Sequence, residues 1–186
     1  MHTSDKAIED GSPYAIDPGG VGQGQHAGAA GWLVGGGEMG KRIRAFDWSK
    51  TPLGPFESWS PALRTMVRIL LANRFPHILW RGPQYIQFYN DPYRQIPGSK
   101  HPERALRRPA SECWTEIWHV IGPLIDTPFN GGPATWDEDI FLEVDRYGFV
   151  EETHFTIAYS PVPDETAPRG IGGVLATVHE ITAPPC

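Results

Sequence analysis

The sequence predicts an α+β domain whose sheet has five strands. Three observations lead there: a helix signal at Ser60-Pro61, two short apolar runs joined by a Gly-Pro turn, and an apolar helix followed by three longer alternating runs. The order is helix, two strands, short helical turns, helix, three strands. Strands in two antiparallel groups with helices between them describe the α+β class.

Residues 1–37 hold ten glycines and few large apolar side chains. Such a stretch buries too little to offset its ordering entropy, so a flexible segment is expected. Gly35, Gly37 and Gly40 satisfy a G-x-G-x-x-G spacing, but a dinucleotide site needs a buried strand before the turn. Ala29 to Val34 is a poor strand, so the loop reading is preferred.

Structure is expected from Glu38, with tight turns at Asp47-Trp48-Ser49 and Thr51-Pro52-Leu53-Gly54-Pro55. Ser60 supplies a side-chain acceptor at the N-cap, and Pro61 stands where no donor is missed. Leu63, Met66, Val67, Leu70 and Leu71 then recur at helical spacing, giving an amphipathic helix from Pro61 to Leu71 that Pro76 limits. The runs His77–Trp80 and Tyr85–Tyr89, joined by Arg81-Gly82-Pro83-Gln84, predict an antiparallel hairpin. Asn90-Asp91-Pro92 ends it and caps a short turn carrying Tyr93; Pro97 to Pro109 reads as surface loop.

A second helix is predicted from Ser111, its N-cap, to Ile125. Trp114, Ile117, Trp118, Ile121, Leu124 and Ile125 form its apolar stripe, with Thr115, His119 and Asp126 opposite. Gly131-Gly132-Pro133 breaks the chain before strands at Thr135–Val144, Phe149–Ser160 and Gly170–Ile181.

Composition narrows the function classes. Sixteen Lys and Arg against 22 Asp and Glu give a net charge of −6, which argues against a broad nucleic-acid surface. The two cysteines, Cys113 and Cys186, cannot alone build a disulfide scaffold or a four-ligand zinc site. No apolar run approaches membrane-span length and no signal peptide is apparent, so the expected location is cytoplasmic.

Particular residues then resemble a known family. Phe88-Tyr89-Asn90-Asp91-Pro92-Tyr93 is similar to the segment closing the second strand of PAS domains, and Glu180-Ile181-Thr182 to the motif that leads from their last strand into an effector. Residues 36–182 resemble the PAS-type sensor region near the N-terminus of bacterial hybrid sensor histidine kinases. The matching pieces include Gly37-Glu38-Met39-Gly40, Trp114-Thr115-Glu116-Ile117-Trp118, Ile121-Gly122-Pro123, Thr135-Trp136-Asp137-Glu138-Asp139 and Tyr159-Ser160-Pro161. The resemblance implies a PAS fold: a five-stranded antiparallel sheet with helices on one face, plus an N-terminal amphipathic helix. It divides the chain into a flexible segment (1–37), an N-terminal cap (38–74), the sensor domain (75–182) and a tail (183–186).

The resemblance further implies a signal-sensing module that binds a small ligand or cofactor. It would relay a change through Glu180 and Thr182, or through the first helix, to a downstream kinase or effector, or by forming a homodimer. Nothing in the chain matches a phosphoacceptor histidine box or an ATP-binding domain. Helical spacing and strand alternation place Trp114, Trp118, Ile121 and Ile125 opposite Phe149, Thr153, Phe155, Ile157 and Tyr159, with Val174, Ala176 and Val178 beside them. Of these, the expected ligand-binding residues are Trp114, Trp118, Ile121, Thr153, Phe155, Ile157, Tyr159, Val174 and Ala176. Plain packing is the competing reading, and it would leave a dimerising or interaction module.

The cofactor is not fixed by the sequence. Haem would need His119, which lies on the polar helix face; His77 and His154 alternate away from the apolar faces. Ser111-Glu112-Cys113-Trp114 is not a cysteinyl-flavin motif, while non-covalent flavin stays open. A third alternative is a small enzyme using Asp139, Glu151 or His154 as a base. Alternation puts Asp137 and Asp139 on one strand face and Glu138 on the other, which does not bring them together. No calcium-loop, P-loop or zinc-protease motif appears.

Overall fold

The computed structural model describes residues 30–182, so the expectations for residues 1–29 and 183–186 lie outside the described part. Four α-helices, α1 (Gly37–Ala45), α2 (Pro61–Ala72), α3 (Ala110–Cys113) and α4 (Trp118–Phe129), accompany five strands. The strands are β1 (His77–Arg81), β2 (Ile86–Tyr89), β3 (Thr135–Asp145), β4 (Val150–Pro163) and β5 (Ile171–Glu180). They form one antiparallel sheet in the order β2-β1-β5-β4-β3. Strand pair, helical midsection and three-strand return follow one another as the sequence predicts.

The sheet register sorts side chains onto two faces. Ile78 opposes Ala176 and Tyr89, Trp80 opposes Val174, and Tyr159 and Ile157 oppose Ala176 and Val178. Strand periodicity therefore puts these side chains on one inner face, where α4 packs over β3, β4 and β5. Phe88, opposite Leu79, belongs to the outer face; its ring stacks 4.6 Å from Trp48 and meets Trp59 edge-on at 5.4 Å. The N-terminal cap and α2 thus cover the outer face over β1 and β2. Over β3–β5 the outer face keeps Trp136 (59% exposed) and Phe141 (47%) in solvent.

Local signals explain the well-read elements. Ser60 Oγ accepts from Leu63 N at 3.1 Å, and Pro61 opens α2, which buries Leu63, Val67 and Leu70. The Gly-rich stretch holds more structure than composition suggests: Leu33 is buried, and Trp32 packs on Phe56 and Trp59. Helix α1 begins at Gly37, but its N-terminal amides meet a carboxylate of the chain itself. Asp91 Oδ2 accepts from Glu38 N at 3.0 Å and Oδ1 from Met39 N at 2.8 Å. This is the macrodipole-favoured position for an anion. A Cβ at Gly37 would fall 2.2 Å from Asp91 Oδ2, so glycine is required there for packing. The glycine spacing serves this junction, and among the described residues no strand precedes it.

Three local expectations are corrected. The predicted helix Ser111–Ile125 is two helices, separated by non-helical Trp114 and Ile117, and its cap residue is Pro109. A continuous helix would stack Trp114 and Trp118 on one face. Instead Trp114 Nε1 donates to the buried Gln87 while Trp118 packs beside Tyr85. Second, β3 carries a bulge between Asp137 and Ile140, which inserts one residue and reverses the alternation beyond it. Asp137 and Asp139 therefore do not share a face. Third, Phe149 lies in the β3–β4 turn and is exposed, because the strand starts one residue later.

A buried carboxylate joins the α2 start to the sheet. Asp164 Oδ2 accepts from Ser60 Oγ at 2.6 Å and pairs with Arg81 at 2.5 Å, while Oδ1 accepts from Thr166. Burial pushes this carboxyl up, but hydrogen bonds from Ser60, Thr166 and Arg81 outweigh it and hold it well below the usual carboxylate range. A depressed folded-state pKa stabilises the protein above the unfolded value, about 3.9, and that stability is lost as pH falls. The urea midpoint of the wild type is expected to drop on acidification below about pH 4. Asp164→Asn should start lower at neutral pH and lose less; an acid limb equal to the wild type's would contradict this.

Candidate functional site: the inner face and its outlet

The inner face encloses a small cavity of about 30 Å³, lined by Trp80, Tyr93, Ile96, Trp114, Ile117, Ile121, Leu142, Val144, Phe155, Ile157, Tyr159 and Val178. It has room for one or two waters, whereas pockets for drug-sized ligands run to about 300–1,000 Å³. Of the residues expected to bind a ligand, Trp114, Ile121, Phe155, Ile157 and Tyr159 line this space. Trp118 does not, since its ring sits 6.0 Å from Tyr85 on the far side of the helix break. Thr153 is buried with its hydroxyl donated to Leu142 O at 2.7 Å. Val174 and Ala176 are fully buried in the sheet core without lining the cavity.

A polar hub that the sequence reading missed sits behind the wall. Gln87 is fully buried; its Oε1 accepts from Trp80 Nε1 (3.1 Å) and Trp114 Nε1 (2.8 Å), and its Nε2 donates to Ala105 O (2.8 Å). One amide thereby satisfies two indoles that would otherwise be buried donors without acceptors. The only sequence signal is a polar residue in an otherwise apolar strand. Cys113, beside this hub, is buried, and burial pushes its thiol up to about 11 against a lowering hydrogen bond from Gln87. It is a packing residue, not an activated thiol.

From the cavity wall a chain of polar contacts runs to the end of β5. Lys100 is buried, lies 4.7 Å from the centroid of the Trp114 ring, and pairs with Glu116. Glu116 Oε1 also accepts from Asp145 N at 3.1 Å. The next residue, Arg146, is buried; its carbonyl accepts from Ser99 N (2.8 Å) and Ser99 Oγ (2.6 Å). Its guanidinium grips Glu180 at 2.8 and 3.0 Å and Glu151 at 3.1 Å. Burial works against the charge on Arg146, but the hydrogen bonds it donates to Glu180 and Glu151 prevail and raise its pKa. Thr182 Oγ1 donates to Glu180 Oε1 at 3.0 Å and accepts from His154 N at 3.0 Å. Glu180 and Thr182 are thus held together at the end of β5.

The groups considered as enzymatic bases lie elsewhere. Asp139 Oδ1 and His154 Nδ1 are 2.6 Å apart on the outer face, Asp139 exposed and His154 half-buried. Glu151 belongs to the Arg146 clamp. His77 is buried on the outer face beside Thr177, and His119 is exposed. Among the described residues no group of three His, Cys, Asp or Glu is placed to hold a metal ion, and no helix is long and apolar enough to cross a membrane.

No family model matches the chain, and no curated protein matches it. Among solved structures it is similar to a sensory box sensor histidine kinase from Vibrio cholerae, at 14% identity and a TM-score of 0.40. The match covers 63% of this chain and 87% of that one.

Proposed function

We propose that this chain is a PAS-type signalling domain whose inner face is filled, and which works by relaying rearrangements to its outlet and through contacts with other proteins. The observation that carries this reading is the cavity of about 30 Å³ together with the contacts from Lys100 to Thr182. A resident flavin or haem would require most of that wall to move. A domain that couples Trp114 to Glu180 through Glu116 and Arg146 needs only a shift at one end to be felt at the other. Such a shift must favour one of two arrangements to act as a signal. The downstream element is a kinase or another effector following β5.

A second copy of the chain is the partner that the outer face favours. Trp136 and Phe141 stand exposed there, and β3 is an edge strand. Edge-to-edge pairing is discouraged by the bulge and by Asp137, Glu138 and Asp139, so pairing would use the face. Trp136→Asp is then expected to shift a concentration-dependent dimer to monomer in light scattering. Unchanged masses across concentrations for both proteins would count against the interface.

One observation favours a second reading, a small apolar ligand admitted by movement. The cavity wall includes Trp114 and Ile117, the two non-helical residues between α3 and α4.

The relay is tested by hydrogen exchange on Glu116→Gln. Faster exchange at Ser99 and at Ile181, whose amides bond to Arg146 O and His154 O, is the expected result. A change confined to the neighbourhood of residue 116 would refute the relay.

A further inference from the structure

Away from the inner face, Asp91, Arg94, Gln95, Gly98, Ser99, His101 and Tyr147 line a surface cleft of about 490 Å³. Two nitrogens of its lining residues, Arg94 Nε and His101 Nε2, are buried without a hydrogen-bond partner. Their chemistry is the same. Tyr89 OH lies 2.7 Å from His101 Nδ1, and burial pushes the Tyr89 phenol well above its usual range, so it stays protonated and has a proton to give to Nδ1. With Nδ1 accepting, the proton of the neutral imidazole sits on Nε2, which is then a donor. Arg94 Nε is a donor in every state, and Arg94 has no carboxylate within ion-pair distance among the described residues.

We propose that this cleft is a site for a phosphate group, bound by Arg94 and the Nε2–H of His101. The orphaned His101 nitrogen beside the Arg94 guanidinium, whose own Nε is the other orphan, calls for an anionic acceptor, and charge-assisted hydrogen bonds to phosphate oxygens are the strong kind. The carboxylate in the cleft does not fill this role, because both Asp91 oxygens already accept from α1 amides. The two arginines near His101 suit an anion beside it. Burial lowers its pKa, Arg94 and Arg42 lower it further, and Glu103 and Glu38 oppose them. The volume exceeds that of phosphate alone, and the Tyr147 ring, 56% exposed, offers a flat surface for the organic part of a phosphomonoester.

The test is NMR on the full chain, following the His101 ring while inorganic phosphate and, separately, a nucleoside monophosphate are added. Saturable shifts at His101 are expected, with its pKa rising when phosphate is bound. Arg94→Gln should weaken binding about tenfold. Arg108→Gln, which alters an exposed cation paired with Glu112 outside the cleft, should bind as the wild type does and so controls for general charge loss. Tighter binding of the ester assigns an organic phosphate; equal binding assigns free phosphate. Absence of saturation, or shifts that Arg94→Gln leaves unchanged, would overturn the site. If Arg94→Gln fails to fold, the wild-type His101 titration alone decides: a pKa indifferent to phosphate refutes the proposal.

Discussion

Arg146→Met is expected to cost about 3 kcal/mol of stability, because it removes the cation from a largely buried cluster and leaves two carboxylates facing each other. Glu151 and Glu180 both rest on this guanidinium, and their side chains are less than a third exposed, so solvent screens them only in part. The loss should be uneven along the chain. Exchange should accelerate most from Thr177 to Thr182, where Glu180 orders Thr182 and through it the His154 amide. Glu180→Gln keeps one acceptor for Arg146 and should fall between wild type and Arg146→Met. Urea unfolding with residue-resolved exchange checks both halves. A uniform loss would mean that the clamp stabilises the fold without controlling its outlet.

Gln87→Leu, close in volume, is the second large effect. It leaves the indole N–H groups of Trp80 and Trp114 without their acceptor and takes one donor from the carbonyl of Ala105, which keeps Arg108 N. Orphaned buried groups cost about 1–3 kcal/mol each, so a loss of about 3 kcal/mol is expected even after some relaxation. Tryptophan fluorescence should report the released indoles, and the segment between α3 and α4 should exchange faster, since Trp114 no longer has its anchor. A stability change below about 1 kcal/mol would show that water replaces the amide without penalty.

What the sequence discloses and what it hides divides by the range of the interactions. The start of α2 is written within four residues, Ser60 to Leu63, and the alternation of β4 and β5 survives because each buried side chain faces the same layer. The break between α3 and α4 is not local: Trp114 leaves the helix because Gln87, 27 residues earlier, holds its indole. Likewise Asp91 reads as the cap of the turn after β2, yet its carboxylate closes α1, more than fifty residues upstream. The bulge in β3 is equally silent, since one inserted residue leaves composition unchanged while turning Asp139 toward His154. The cavity fared in the same manner. Helical spacing and alternation identified half of its wall, but its size depends on how the rings of Trp80, Trp114 and Tyr159 interlock, and periodicity holds no information on that. Those rings explain why a face suited to a ligand is packed nearly solid.

The most direct check is to weigh the intact protein under native conditions, freshly purified, and record its absorption spectrum. The account predicts the mass of one or two bare chains and absorbance from tryptophan and tyrosine alone. A stoichiometric added mass with a visible chromophore, released on unfolding, would contradict the filled inner face.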